Sequence, residues 1–238
     1  MMNVTTTELG SGSYFISDAA RIARVNSRSL KRWALGYDYT YRQERLASPP
    51  LLQSKIPSVN GEEFLTFQQL VEVMFIGLFR AHGVSVPVIR AVAHTAASRY
   101  KTNHPFAIEN LQTDGKTIFA DSVQVEHPMG ISKARITEDL HRGQLVIRDF
   151  AQPYFRKIDY VAMEAARYWP VGKEGGIVID PQRSFGSPID NGSGVPTSVL
   201  YGMYKAGERT EAIAEWYKVD QASVISSIEF ETSLLRAA

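Results

Sequence analysis

The sequence predicts an α+β protein in three parts: two short helices with a wing near the N-terminus, a β-rich connector, and a C-terminal bundle of three helices. Three observations support this fold class. Apolar residues recur at helical spacing towards both ends, β-branched and aromatic clusters fill the middle, and a stretch dense in Gly, Pro, Asp and Ser follows residue 172. The expected boundaries are 14–100, 101–171 and 172–238.

The first predicted element is a pair of short helices. Ser17 is the expected N-cap of one helix, residues 24–26 form a turn, and Ser27 is the expected N-cap of the next helix. Leu30 and Trp33 share a face of the second helix, and Gly36 suits the left-handed position just past its end. A supporting helix, a tight turn and a second helix are the parts of a helix-turn-helix, whose second helix reads the major groove of DNA.

The pattern changes after these helices. Tyr37, Tyr39 and Tyr41 alternate and are followed by Arg42, and two prolines and two leucines occupy 49–52. This succession predicts a two-stranded wing or an irregular arm.

Two further helices are expected before residue 100. Thr66 and Gln69 fit a capping box that opens a strongly apolar helix, and Gly83 ends that helix. Ser85 then caps another helix, which tolerates Pro87 in its first turn.

The middle of the chain carries β-branched and aromatic clusters that predict a mostly antiparallel sheet. The expected strands are 117–119, 123–125, 145–147 and 156–161. A short strand at 177–179 and three helices between 195 and 235 are expected next, with the length and spacing of a second helix-turn-helix bundle.

Charge is distributed unevenly along the chain. The net charge is only +1, but residues 1–60 carry eight Lys and Arg against four Asp and Glu, whereas residues 173–238 carry six against nine. The basic N-terminal part is therefore the candidate for contact with phosphate, and repulsion argues against DNA binding by the C-terminal bundle. That bundle is better interpreted as a protein-contact or dimerisation module, with plain packing as the alternative.

Residues 15–23 and 25–33 combine an alanine-rich first helix with a second helix that contains an internal Trp. This pattern resembles the opening winged helix-turn-helix of MerR-like regulators and extends over residues 14–99. The resemblance implies that the second helix faces the groove and that the wing holds the backbone, although residues 47–59 are longer and richer in proline than the usual wing. The candidate DNA-binding residues are Arg24, Asn26, Ser27, Arg28, Ser29, Lys31, Arg32, Tyr41 and Arg42.

The C-terminal part carries a second resemblance. An Asp-Pro pair at 180–181, Gly-Ser-Pro at 186–188 and Ala-Gly-Glu at 206–208 are similar to the domain-of-unknown-function family 433. Together the two resemblances imply a VapB-type antitoxin of the longer architecture, whose partners would be operator DNA and a PIN-domain ribonuclease toxin. Because such regulators read pseudo-palindromic operators, we expect a homodimer. A ligand-responsive MerR-like regulator without a toxin is the alternative.

The composition excludes several kinds of site. The sequence has no cysteine, so disulfides, thiolate metal sites and cysteine nucleophiles are excluded. Its five histidines lack metal-ligand spacing, and its glycine-rich stretch fits neither a phosphate loop nor a dinucleotide fingerprint. We therefore expect no cofactor, no metal and no enzymatic activity. The lack of a signal-peptide pattern and of a long apolar run predicts a cytoplasmic protein that spans no membrane.

Overall fold

The computed structural model describes residues 11–59, 61–122 and 133–236, and its elements confirm the α+β class. The helices are α1 (Ile16–Ala23), α2 (Ser27–Leu35), α3 (Phe67–Ala81), α4 (Val86–Tyr100), α5 (Asn110–Asp121), α6 (Lys133–Asp149), α7 (Gln152–Phe155), α8 (Thr197–Lys205), α9 (Thr210–Tyr217) and α10 (Gln221–Arg236). The strands are β1 (Tyr14–Phe15), β2 (Tyr37–Tyr41), β3 (Glu44–Ser48), β4 (Ser58–Val59), β5 (Glu62–Leu65), β6 (Ile158–Val161), β7 (Glu164–Tyr168), β8 (Ile177–Ile179) and β9 (Pro188–Asp190). They pair antiparallel in the orders β1-β5-β4, β2-β3 and β6-β7-β8-β9. None of the helices described here is long and apolar enough to cross a membrane.

Helix α3 lies at the centre of the main hydrophobic core. The predicted capping box is confirmed: Thr66 Oγ1 accepts a hydrogen bond from the Gln69 amide at 3.3 Å, and Gln69 Oε1 accepts one from the Thr66 amide at 2.9 Å. Nearly every side chain between Phe67 and Phe79 is buried, because α1, α4, α6, β5 and β7 all pack against this helix. A helix that is apolar on most faces must be enclosed in this way.

The two N-terminal helices are confirmed, but each begins earlier than predicted. Helix α1 starts at Ile16 with Phe15, and not Ser17, at its N-cap. Helix α2 starts at Ser27, because Asn26 is its N-cap. Asparagine caps well since its side-chain oxygen accepts from the unpaired amides of the first turn.

The connector is helical at two places where the sequence predicted strands, so the prediction of a β-rich connector was wrong there. The expected strands 117–119 and 145–147 lie inside α5 and α6, which pack against each other. Leu111, Ile118 and Phe119 share the buried face of α5, since their spacing of seven and eight residues is helical. A short apolar cluster cannot by itself distinguish a strand from a buried stripe of a helix. The strand expected at 123–125 lies outside the described residues, and the one expected at 156–161 is observed as β6.

The sheet β6–β9 joins the connector to the C-terminal part. Strand β8 confirms the strand predicted at 177–179. Tyr168 of β7 pairs with Ile179 of β8, so the sheet crosses the boundary predicted between residues 171 and 172. Helices α8, α9 and α10 confirm the three predicted C-terminal helices, and they enclose a separate small core around Leu200, Ile213 and Val224.

Candidate nucleic-acid interface

Helix α2 buries one face and exposes the other. Leu30 is completely buried and Ala34 is almost so, since both side chains face the body of the protein. Arg28, Lys31 and Arg32 are exposed. Because these cations are spaced by three and four residues, they project from the same side of the helix. The result is a basic outer face on α2.

Asn26 fixes the start of this helix. Its Oδ1 accepts hydrogen bonds from the backbone amides of Arg28 at 3.0 Å and Ser29 at 3.3 Å. Ser27 is exposed and Ser29 is half-buried. The Asn26 carboxamide oxygen is therefore engaged in capping, a role that the sequence had given to Ser27.

Strands β2 and β3 form the predicted wing. Tyr41 pairs with Glu44 at its tip. The two turn residues between them, Arg42 and Gln43, have φ values of 48° and 69°, the sign that a two-residue type I′ hairpin turn requires. All residues from 42 to 47 are exposed, so the hairpin projects into solvent.

Arg90 of α4 ties the base of this hairpin to the body. Its guanidinium donates to Ser48 Oγ at 3.0 Å and to the Pro49 carbonyl at 2.7 Å. Burial lowers the pKa of Arg90, and the neighbouring hydroxyls of Tyr37 and Tyr39 oppose that shift. Sequence reasoning missed this residue, because no local pattern marks a contact across about forty residues of chain.

The wing also packs on α2 itself. The Leu51 amide donates to the Trp33 carbonyl at 2.7 Å. The guanidinium carbon of Arg32 lies 5.0 Å from the centre of the Tyr37 ring, which is cation–π distance. Gly36, with φ of 78°, lies so close to the strand end that a Cβ there would be 2.7 Å from the backbone oxygen of Ser48. Helix α2 and the hairpin therefore form one packed unit.

Arg24 is directed towards a different part of the molecule. It occupies the left-handed turn residue after α1, with φ of 55°, and its guanidinium donates to Ser233 Oγ of α10 at 3.3 Å. The structure therefore places Arg24 at the C-terminal bundle, whereas the cations of α2 are exposed and Arg42 lies at the exposed tip of the hairpin.

The C-terminal part packs directly against β1 and α1. The Ser13 amide donates to the Phe185 carbonyl at 3.1 Å. Tyr14 is only 4% exposed, and its hydroxyl has no hydrogen-bond partner among the residues described. Burial raises the pKa of this hydroxyl, with the charge of Asp180 adding to the shift. Gly186 closes over the ring of Tyr14, which makes this junction tight.

A cavity of about 240 Å³ lies behind the turn between α1 and α2. It is lined by Ile22, Ala23, Arg24, Met74, Pro153, Tyr154, Lys157, Tyr168 and Pro170, which include two cations and no acid. Burial and the neighbouring Tyr154 raise the pKa of Tyr168 to about 12, although Arg24 lowers it. The hydroxyl of Tyr168 is therefore protonated at neutral pH and can donate a hydrogen bond.

One buried carboxylate lies apart from these surfaces. Glu72 of α3 is 1% exposed, and its Oε2 lies 3.0 Å from Nδ1 of His104. Burial raises the pKa of Glu72, whereas His104 and the Phe106 amide lower it. In the described ranges, no group of three or more His, Asp or Glu side chains could hold a metal ion. The pair is therefore a satisfied polar contact inside the core.

Comparisons with known proteins agree with parts of this description. The family of unknown function DUF433 matches residues 177–230, which confirms the C-terminal resemblance. A Mycobacterium tuberculosis protein provisionally named antitoxin VapB45 is 26% identical over 217 residues, which cover 87% of this chain and 88% of that protein. The crystal structure of Rv2018 from Mycobacterium tuberculosis is 22% identical, covers 90% of this chain and 96% of its own, and has a TM-score of 0.67, so the fold is shared. This chain is thus similar over most of its length to a protein named as an antitoxin, while its resemblance to MerR-like regulators stays a prediction.

Proposed function

We propose that this chain is an antitoxin that neutralises a PIN-domain ribonuclease toxin and represses its own operon by binding operator DNA. The observation that carries the proposal is the similarity to a protein named as an antitoxin over 87% of this chain. That similarity extends well beyond the DUF433 segment at 177–230, so the two proteins share more than this one domain.

The basic face of α2 and the wing support the DNA-binding half of the proposal. Arg28, Lys31 and Arg32 suit the major groove, where guanidinium and ammonium groups pair with guanine edges and phosphates. Arg42 at the hairpin tip suits the adjacent backbone. Arg45 is a weaker candidate, because it forms an ion pair with Asp38 at 2.7 Å.

The test compares operator binding by two double variants that each lose two positive charges. Arg28→Ala with Arg32→Ala should weaken binding to the promoter of the chain's own operon by at least about 30-fold, since each base-reading arginine contributes about 1–3 kcal/mol. The control is Arg156→Ala with Arg236→Ala, which removes the same charge from exposed positions elsewhere. Fluorescence anisotropy measures the affinity, and circular dichroism checks folding. Equal affinities for the two double variants would overturn the assignment.

We further propose that two copies bind one operator. A two-fold dimer places two recognition helices about one helical turn of DNA apart, which matches a pseudo-palindromic site. Light scattering should give twice the chain mass, and the bound complex should contain two chains per operator. A stoichiometry of one chain per operator would contradict this arrangement.

Toxin neutralisation is tested with the whole chain and not with a truncated one. A truncation after Val171 is unsuitable because it would break the pairing of Tyr168 with Ile179 and expose the edge of a sheet. Co-expression of the full chain with a PIN-like protein encoded in the adjacent reading frame should restore growth, and the purified chain should inhibit that ribonuclease. Continued ribonuclease activity with excess chain would refute toxin neutralisation.

A ligand-responsive regulator without a toxin is the second candidate, and the cavity behind the helix turn favours it. Its two cations, Arg24 and Lys157, and its tyrosines suit a small anion with an aromatic or apolar part. Benzoate is a suitable probe: under this alternative it should change operator affinity, and Arg24→Gln should abolish the change. An adjacent gene for a transporter or catabolic enzyme would also favour this candidate over the antitoxin.

A further inference from the structure

The ring of Tyr37, the first residue of the wing, lies against a cation of α2. The guanidinium carbon of Arg32 is 5.0 Å from the centre of this ring, and Tyr37 is itself 36% exposed, so the pair lies at the surface of the protein. A guanidinium within about 6 Å of an aromatic centre, over the face of the ring, is attracted by the negative charge of that face. Arg32 is therefore held against the wing.

The other two cations of the helix have no such support. No side-chain hydrogen bond, ion pair or ring contact of Arg28 or Lys31 is found in the part of the chain that the structure describes. Long side chains without such contacts keep their rotamer freedom and lose it when they bind. Arg28 and Lys31 must therefore be ordered by DNA, whereas Arg32 is partly ordered beforehand.

The ring of Tyr37 is a fixed support, because the backbone around it is tied to the body of the protein. A Cβ on Gly36, which precedes it, would lie 2.7 Å from the backbone oxygen of Ser48. Tyr37 pairs with Ser48 across the hairpin. Arg90 of α4 donates to Ser48 Oγ at 3.0 Å and to the Pro49 carbonyl at 2.7 Å. The residue pair at the base of the hairpin is thus anchored, and the ring with it.

The nearby acid leaves the charge of Arg32 uncompensated. Asp38 follows Tyr37 in β2, so its carboxylate lies on the opposite face of the hairpin, since successive side chains of a strand alternate. Asp38 forms an ion pair with Arg45 at 2.7 Å. Among the described residues, Arg32 has no ion pair and no side-chain hydrogen bond. Its charge and its N–H donors therefore remain available to an acceptor on DNA.

We propose that Tyr37 is a positioning residue of the DNA interface, whose ring holds the Arg32 guanidinium ready for its acceptor in the operator; this inference rests on the proposed function. An arginine that is already ordered loses less conformational entropy on binding than a free one, and the smaller loss strengthens binding. Tyr37 acts through Arg32 and needs no contact of its own with DNA. Because the ring makes the contact and the hydroxyl does not, phenylalanine should serve equally well.

The test is a double-mutant cycle on operator binding, measured by fluorescence anisotropy with the full chain. Tyr37→Leu removes the ring and changes no charge. It should weaken operator binding about two- to fivefold in the parent chain, the affinity equivalent of one exposed cation–π contact, and should have no effect in the Arg32→Ala chain. In the Arg28→Ala chain the loss should again be about two- to fivefold, because Arg28 makes no contact with the ring. Tyr37→Phe should bind as tightly as the parent chain.

Tyr39→Leu is the matched control, because it truncates a second ring on the same face of the same strand. Tyr39 is 41% exposed, and its ring centre lies 5.9 Å from that of Tyr37. Within the described ranges, Arg32 lies over the ring of Tyr37 and no cation lies over that of Tyr39. Any loss of affinity caused by Tyr39→Leu should therefore be the same with and without Arg32.

The outcomes separate the inference from the proposed function. A Tyr37→Leu effect of equal size with and without Arg32 would overturn the inference and leave operator binding standing, because the ring would then act on the whole wing or on DNA directly. Tyr37→Leu that binds like the parent chain, or Tyr37→Phe that binds as weakly as Tyr37→Leu, would overturn it as well. A parent chain that does not bind its own promoter would overturn both the inference and the DNA-binding half of the proposed function.

Discussion

The junction between the N-terminal helices and the C-terminal part can be tested by Gly186→Ala. An alanine Cβ at this position would lie 2.2 Å from Tyr14 Oη and 2.8 Å from Tyr14 Cζ. Tyr14 is 4% exposed, so most of its ring is covered by other parts of the protein. Gly186 also has φ of 83°, which an alanine adopts only with strain.

Two free-energy terms set the expected size of the effect. The left-handed backbone costs a residue with a Cβ about 1–2 kcal/mol. Forcing an extra carbon into a filled site costs about 1–3 kcal/mol more. The free energy of unfolding should therefore fall by about 2–5 kcal/mol, and for a chain of this size each kcal/mol lowers Tm by about 2–4 °C.

Gly176→Ala provides the matched control. Gly176 is also left-handed, with φ of 70° and ψ of 1°, and the nearest atom to a Cβ built there is Asp190 Oδ1 at 4.0 Å, which is an ordinary contact. It should therefore carry the backbone cost alone, about 1–2 kcal/mol. Urea unfolding of both variants measures the difference. Equal losses of stability in the two variants would show that Tyr14 does not pack tightly under Gly186, and the junction would then be looser than the contact distances indicate.

Two further substitutions test the helix cap and the buried acid. Asn26→Ala removes the acceptor for two amides of α2 and should cost about 1 kcal/mol in urea unfolding, with weaker operator binding; unchanged stability would contradict the capping role. Burial raises the pKa of Glu72 in the folded state, so the native chain holds this proton more tightly and stability falls as pH rises above the ordinary carboxyl value of 4.5. Glu72→Gln should flatten this dependence when Tm is measured between about pH 4 and pH 7, and an identical pH profile would refute it.

Local signals were sufficient where a feature depends on neighbours in the sequence. The capping box of Thr66 and Gln69 and the glycine after α3 define a helix within a few residues, and the structure places α3 accordingly. The alternating tyrosines likewise predicted the wing, whose register is set by its own two-residue turn. The sequence signals that predict these elements lie within the elements themselves or directly beside them.

The connector shows where such signals fail. Ile118 and Phe119 read as part of a strand because both favour extended structure, yet α6 covers them and thereby selects the helix. A helix built of β-branched and aromatic residues is stabilised by the partner it packs on and not by intrinsic propensity. The sequence pattern contains the apolar face but not the identity of that partner.

The candidate site shows the same limit for charged residues. A run of basic residues predicts that arginines are exposed, and Arg28 and Arg32 are exposed on α2. Arg24 belongs to the same run, but the turn with φ of 55° directs it to Ser233, which is 209 residues away in the chain. Charge density thus predicts the presence of a basic surface, whereas backbone direction at each residue decides which arginines belong to it. The DNA-binding face that we propose is therefore narrower than the basic run in the sequence, because it comprises α2 and the wing that Arg90 holds in place.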